Sequence, residues 1–119
     1  MIEQPPQDIW KYPTDCVVIT TNGSVKKDGT CVMGRGVALQ AKRRFPGLDL
    51  LIGKGIDTKG NHVQFFPEIG ICTFPVKHNW WEKADLLLIR RSALELAIVA
   101  QSVPDGFVFA IPHPGCHNG

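Results

Sequence analysis

An α/β layered fold is predicted for this 119-residue sequence, and three observations carry the prediction. Two short, continuous apolar runs, Cys16 to Thr21 and Phe107 to Ile111, read as strands buried on both faces, the pattern of parallel sheets. A glycine-rich loop after the first run leads directly into a helix-favouring segment. A long helical segment precedes the second run, so strands and helices alternate, as they do where helices cover a sheet.

Each element follows from its local residues. Cys16-Val-Val-Ile-Thr-Thr21 is bounded by Thr14-Asp15 and by Asn22-Gly23, which are turn formers. The loop Asn22 to Gly36 has glycines at 23, 29, 34 and 36, and Val37 to Phe45 is then rich in Ala, Leu, Gln, Lys and Arg until Pro46-Gly47 stops it. Leu48 to Ile52 reads as a second short helix, ended by Gly53 and Gly55. His62 to Phe66 and Ile69 to Phe74 read as two strands joined at Pro67-Glu68. Trp81 to Ser102 reads as one helix packed on a sheet, because apolar residues fill most of its circumference and Arg91 and Glu95 leave a narrow polar stripe. In that reading Trp80 or Trp81 anchors the helix start. Pro104-Asp105-Gly106 ends the helix, and after the second buried strand the segment Pro112 to Gly119 forms a loop where open α/β sheets place ligands.

Composition excludes several classes. Leu, Ile, Val and Phe make up about 29% of the residues, above the roughly 20% below which a chain stays disordered. No apolar run exceeds five residues, far short of the roughly 18 that a membrane-spanning helix needs. The N-terminus has neither a basic stretch nor an apolar one, so no secretory signal is expected and a cytoplasmic location is. A formal charge of +2, from 13 Lys and Arg against 11 Asp and Glu, gives no basic face for a nucleic-acid duplex. Cys16, Cys31, Cys72 and Cys116 form no CxxC pair and are expected to be buried, reduced thiols.

Met33-Gly34-Arg35-Gly36-Val37-Ala38 opens a helix with small residues, so free backbone N–H groups and the helix dipole are suited to an anion such as a phosphate or pyrophosphate. The loop lacks the third glycine of a dinucleotide fingerprint and the Lys-Ser/Thr of a P-loop. A second loop of similar character, Pro112 to Gly119, could close on the same diphosphate from the other side. Asn22 offers a donor and an acceptor to a sugar hydroxyl, or simply forms a turn with Gly23. His113, Cys116 and His117 have no soft fourth ligand at suitable spacing, which disfavours a metal. Lys77 stands in the aromatic-rich run Phe74 to Trp81, where it is an ordinary solvated lysine or, if partly desolvated, a nucleophile toward a sugar carbon.

Together these residues resemble the macrodomain family of ADP-ribose-binding modules across most of the chain. Asp8-Ile9 is similar to the acidic residue and its neighbour that meet adenine. Cys16-Val-Val-Ile-Thr-Thr-Asn22 is similar to the first buried strand with its ribose-facing asparagine. Met33, Gly34, Arg35, Gly36 and Val37 resemble the diphosphate loop, and Pro114, Gly115, Cys116, His117, Asn118 and Gly119 the second phosphate-and-ribose loop. The resemblance implies a three-layer α/β/α mixed sheet, a single domain over residues 1–119 with its C-terminal helix and strand missing, no cofactor, and a monomer.

Met33 to Ala38 together with Phe74-Pro75-x-Lys77 looks most like the branch that removes ADP-ribose from glutamate or from thymidine. The resemblance therefore implies that Lys77 is catalytic at the anomeric carbon of the distal ribose, by attack or by its charge. The partner is then ADP-ribose or an ADP-ribosylated protein or nucleic acid, with no membrane involved. Two alternatives stand beside this glycohydrolase reading. One is a binding module without chemistry. The other is a phosphatase acting on ADP-ribose 1″-phosphate, with His113 or His117 as general acid or base.

Overall fold

The computed structural model describes residues 2–4 and 9–112; Asp8 and residues 113–119 lie outside the described residues. One five-stranded mixed sheet runs in the order β1-β5-β2-β4-β3. Its centre is β2 (Cys16–Asn22), which pairs in parallel with β4 (Ile71–Lys77) on one side and β5 (Phe109–Pro112) on the other. Beyond β5 lies β1 (Ile2–Gln4), also parallel, and at the opposite edge β3 (Phe65–Phe66) runs antiparallel to β4. No helix among the described residues is long and apolar enough to cross a membrane.

The side-chain alternation of β2 builds the three layers. Val17 and Ile19 point into a core with α1 (Gly36–Arg44) and α2 (Leu48–Lys59), while Cys16 and Val18 point into a second core with α3 (Leu86–Gln101). The first core is the heavier, because Ile9, Ile19, Ile52 and Ile71 are wholly buried in it and each such side chain is worth about 1.5–3 kcal/mol. Cys16, Cys31 and Cys72 are free and buried, as expected. A hydrogen bond to Cys72 and burial push the Cys16 thiol up, and burial with the nearby Asp49 charge pushes Cys31 up to about 11. Both therefore stay thiols at neutral pH, and thiols are poor nucleophiles. Cys116 lies outside the described residues.

Several elements differ from the prediction. Strand β1 was not predicted, β4 runs on through Pro75 to Lys77 where the prediction ended it at Phe74, and β5 starts at Phe109 rather than Phe107. Helix α2 does not stop at Gly53 and Gly55 but runs on to Lys59, ending where Gly60 takes a φ of 89°. The mid-helix glycines serve close packing: a Cβ at Gly53 would overlap the Gly29 carbonyl oxygen, and one at Gly55 the Gln64 side chain. The strand expected over residues 62–66 shrinks to Phe65–Phe66, because the Val63 N–H is taken by the Glu95 carboxylate at 2.9 Å instead of a sheet partner.

Helix α3 begins at Leu86, five residues later than expected. Asp85 is extended there and accepts the Leu87 N–H at 2.9 Å, a cap that satisfies one of the orphan donors of the first turn. Trp80 and Trp81 therefore do not anchor the helix. The Arg91 and Glu95 stripe is also turned inward onto residues 61–63, while Leu87, Leu94 and Ile98 face solvent.

Candidate functional site

Strands β2 and β4 end together at Asn22 and Lys77, and a cleft of about 650 Å³ opens over those ends. That size is in the range that takes a nucleotide-sized ligand. Thr20, Thr21 and Asn22 come from one strand and Val76 and Lys77 from the other, with Met33, Gly34, Arg35 and Ala38 closing a side. The parallel ladder shifts register between Thr21 and Asn22, so that Asn22 faces Lys77 although Thr21 faces Pro75. Proline within a strand supplies no ladder donor. The Pro75 carbonyl accepts the buried Ser92 hydroxyl of α3 at 2.6 Å.

The loop from Gly23 to Arg35 forms one wall, and Asn22 ties both of its ends. Its Oδ1 accepts the Ser24 N–H at 2.9 Å and its Nδ2 donates to the Val32 carbonyl at 3.0 Å. Between them Val25 and Cys31 make an antiparallel bridge, and Asp28 accepts from both the N–H and the hydroxyl of Thr30, which hold its carboxyl below the usual range. Helix α2 backs the loop through the Cys31 N–H, which donates to the Asp49 carbonyl at 2.9 Å. The Asn22 side chain is thus first of all the pin that shapes this wall, and its Oδ1 also lies 4.0 Å from the Cys31 thiol.

At the loop's end, Arg35 is the extended residue before α1, and its side chain makes no capping hydrogen bond to that helix. The first-turn N–H groups have no intrahelical acceptor and carry the positive end of the helix dipole. Gly36 takes a φ of 57°, a left-handed backbone that glycine adopts freely. Gly34 is exposed, and a Cβ there would meet nothing within 4 Å. Among the described residues, Lys26, Arg35 and Lys77 set three cations against one carboxylate, Glu82, in the cleft lining, a balance that favours an anionic ligand.

The opposite wall carries two tryptophans. Trp80 is 54% exposed and Trp81 66%, and their rings meet edge to face at 6.0 Å and 86°. The Trp80 N–H donates to Ser24 Oγ at 3.0 Å, which couples this wall to the glycine-rich loop. An exposed aromatic pair on a cleft rim is a contact surface for a flat or apolar group. His78 and Asp85 close the segment at 2.7 Å, and that bond with the Leu87 N–H holds the Asp85 carboxyl low.

No protein-family model matches the sequence, and no curated protein does. Among solved structures the chain is similar to the macrodomain of Mycobacterium tuberculosis DarG. The TM-score is 0.77 at 26% identity, over 100% of this chain and 80% of that one. It is also similar in fold to the macrodomain of Thermus aquaticus DarG, with a TM-score of 0.69 at 18% identity over 95% of this chain and 97% of that one. The chain has the macrodomain fold.

Of the residues singled out from the sequence, the fold brings Asn22, Met33, Gly34, Arg35 and Lys77 together in the cleft lining. Ile9 and Val37 are buried in the core beneath, and Gly36 opens α1 beside the lining residues. Asp8 and Pro114, Gly115, Cys116, His117, Asn118 and Gly119 lie outside the described residues, as does His113. The sequence reading missed Lys26 and Glu82. A lysine inside a glycine-rich loop is a usable signal for the first; nothing local marks the second.

Proposed function

We propose that this macrodomain binds ADP-ribose and hydrolyses an ADP-ribosyl bond to a protein or nucleic acid, with Lys77 as the nucleophile. The observation that carries the reading is that Lys77 and the N-terminus of α1, which the Arg35 side chain does not cap, open onto one cleft. Backbone N–H groups and the helix dipole suit the diphosphate, and Lys26 and Arg35 add positive charge on the same side. With the diphosphate there, the distal ribose lies toward the ends of β2 and β4, within reach of the Lys77 amine.

Cleavage develops positive charge at the anomeric carbon, which an ammonium would oppose, so the free amine is the form that reacts. Its lone pair bonds to that carbon as the bond to the target oxygen or nitrogen breaks, and the departing group takes up the amine's proton. Water then hydrolyses the glycosyl-amine adduct, releasing ADP-ribose and restoring the lysine.

Calorimetry with ADP-ribose, using AMP and NAD as controls, tests binding. Turnover of an ADP-ribosyl-glutamate peptide and an ADP-ribosyl-thymidine oligonucleotide tests chemistry. Lys77→Ala is expected to lower turnover by orders of magnitude while ADP-ribose affinity changes by less than about threefold, because a nucleophile contributes chiefly to the transition state. Equal turnover by Lys77→Ala removes the nucleophile assignment. Binding without turnover of either substrate leaves a recognition module, and phosphate release from ADP-ribose 1″-phosphate would make the chain a phosphatase.

A further inference from the structure

Whatever fixes the Lys77 backbone also aims its amine. The ladder shifts register at this point, where Lys77 pairs with Asn22, and two further groups bind its peptide. The Lys77 carbonyl accepts the Gly23 N–H at 3.1 Å and the Asn61 Nδ2 at 2.9 Å. Gly23 belongs to the cleft's other wall, whereas Asn61 comes from the segment that follows α2 and lines no part of the cleft.

Asn61 is itself anchored. Its backbone carbonyl accepts from the Arg91 guanidinium of α3, and Arg91 Nε lies 3.7 Å from Glu95. Glu95 in turn accepts the Val63 N–H at 2.9 Å and meets His62 Nδ1 at 2.6 Å, gripping the residues just after Asn61. On its other side Asn61 abuts Gly23, where an added Cβ would lie 2.8 Å from Asn61 Nδ2 and 2.7 Å from the His78 carbonyl. The amide lies between the ends of β2 and β4.

We propose that Asn61 is a positioning residue: tied to α3 through Arg91, its amide orients the Lys77 peptide so that the amine meets the anomeric carbon. This rests on the reading of Lys77 as the nucleophile. Asn61 touches no substrate, and its effect is the near-attack geometry of another residue's side chain, where small displacements cost large factors in rate.

Asn61→Asp keeps the size of the side chain and removes the donor. On the 119-residue chain, ADP-ribose Kd and the kcat and KM for both ADP-ribosyl substrates are compared for wild type, Asn61→Asp, Lys77→Ala and the double variant. The expected result is a fall in kcat of about tenfold to a hundredfold with Kd and KM within about threefold. In the Lys77→Ala background Asn61→Asp adds no further loss, since it acts through the missing amine. An unchanged kcat, a matching loss of ADP-ribose affinity, or full additivity with Lys77→Ala overturns the proposal. Should Asn61→Asp fail to fold, Asn61→Ser and Arg91→Gln carry the same cycle, the second cutting the tie one step further out. A wild type that binds ADP-ribose but turns over neither substrate overturns the reading of Lys77 and the proposal with it. An active wild type, an inactive Lys77→Ala and an unimpaired Asn61→Asp overturn the proposal alone.

Discussion

Gly53 and Gly34 carry the same absence of a side chain and opposite consequences. In mid-helix a glycine costs about 1 kcal/mol relative to alanine, so Gly53→Ala in α2 would stabilise a solvated helix. Here its Cβ would overlap the Gly29 carbonyl oxygen and lie 3.1 Å from the Cys31 N atom, both backbone atoms of the cleft wall. The wall or the helix must move, and a net loss of about 1–3 kcal/mol is expected, read as a lower urea midpoint at unchanged slope. At Gly34 a side chain meets nothing within 4 Å and the φ is not left-handed. Gly34→Val is therefore expected to unfold at the wild-type urea midpoint yet to lose ADP-ribose affinity by about tenfold or more, because the valine stands where the diphosphate approaches. Equal affinity would move the diphosphate away from this loop. The sequence marked both residues as glycines in turn-like contexts, which was right for Gly34 and wrong for Gly53. What separates them is a contact made 24 residues away in the chain, invisible to local pattern.

Helix α3 demonstrates the same limit for periodicity. Its existence and its packing on the sheet were legible from the apolar residues that fill most of its circumference, and Leu88, Ser92 and Leu96 are buried there, but its start at Leu86 was not. Its orientation was not, because a stripe of Arg and Glu reads as solvated until a buried partner for it is known. That partner is the segment around Val63, whose N–H Glu95 accepts. Burial pushes the Glu95 carboxyl up, but the Val63 N–H, His62 and the Arg91 charge outweigh it and leave it below its ordinary value of 4.5. A lowered carboxyl contributes stability that is present above the ordinary value and disappears as pH falls through the folded one. Glu95→Gln is accordingly expected to be less stable than wild type at pH 7, with the two urea midpoints converging as pH falls below the ordinary value of 4.5. Parallel curves across that range would mean that the charge on Glu95 contributes nothing to holding residues 61–63 against α3.

The cleft exists because parallel strands end on the same side of the sheet, and the whole molecule is built to bring those ends together. Three stretches of chain far apart in sequence meet there: the end of β2 with its loop, the start of α1, and the end of β4 with its tryptophans. The alternation of buried strands and helices made that architecture readable, since two-sided burial forces continuous apolar runs. Strand β1 was not readable, because three residues carry no periodicity. A ligand that bridges these stretches binds the folded chain and not the unfolded one, so it raises stability by mass action, about 2.7 kcal/mol at a concentration a hundredfold above Kd. For a domain of 119 residues that corresponds to a rise in Tm of about 10 °C. ADP-ribose at that excess is expected to give this shift with wild type and with Lys77→Ala, and Gly34→Val to give little of it at the same ligand concentration. AMP at equal concentration should give a small fraction, because it lacks the distal phosphate and ribose that would span from the α1 N-terminus to Lys77. An AMP shift as large as that of ADP-ribose would mean that the cleft reads only the nucleoside monophosphate half. The ends of β2 and β4 would then lie outside the binding site, and with them the case for chemistry at Lys77.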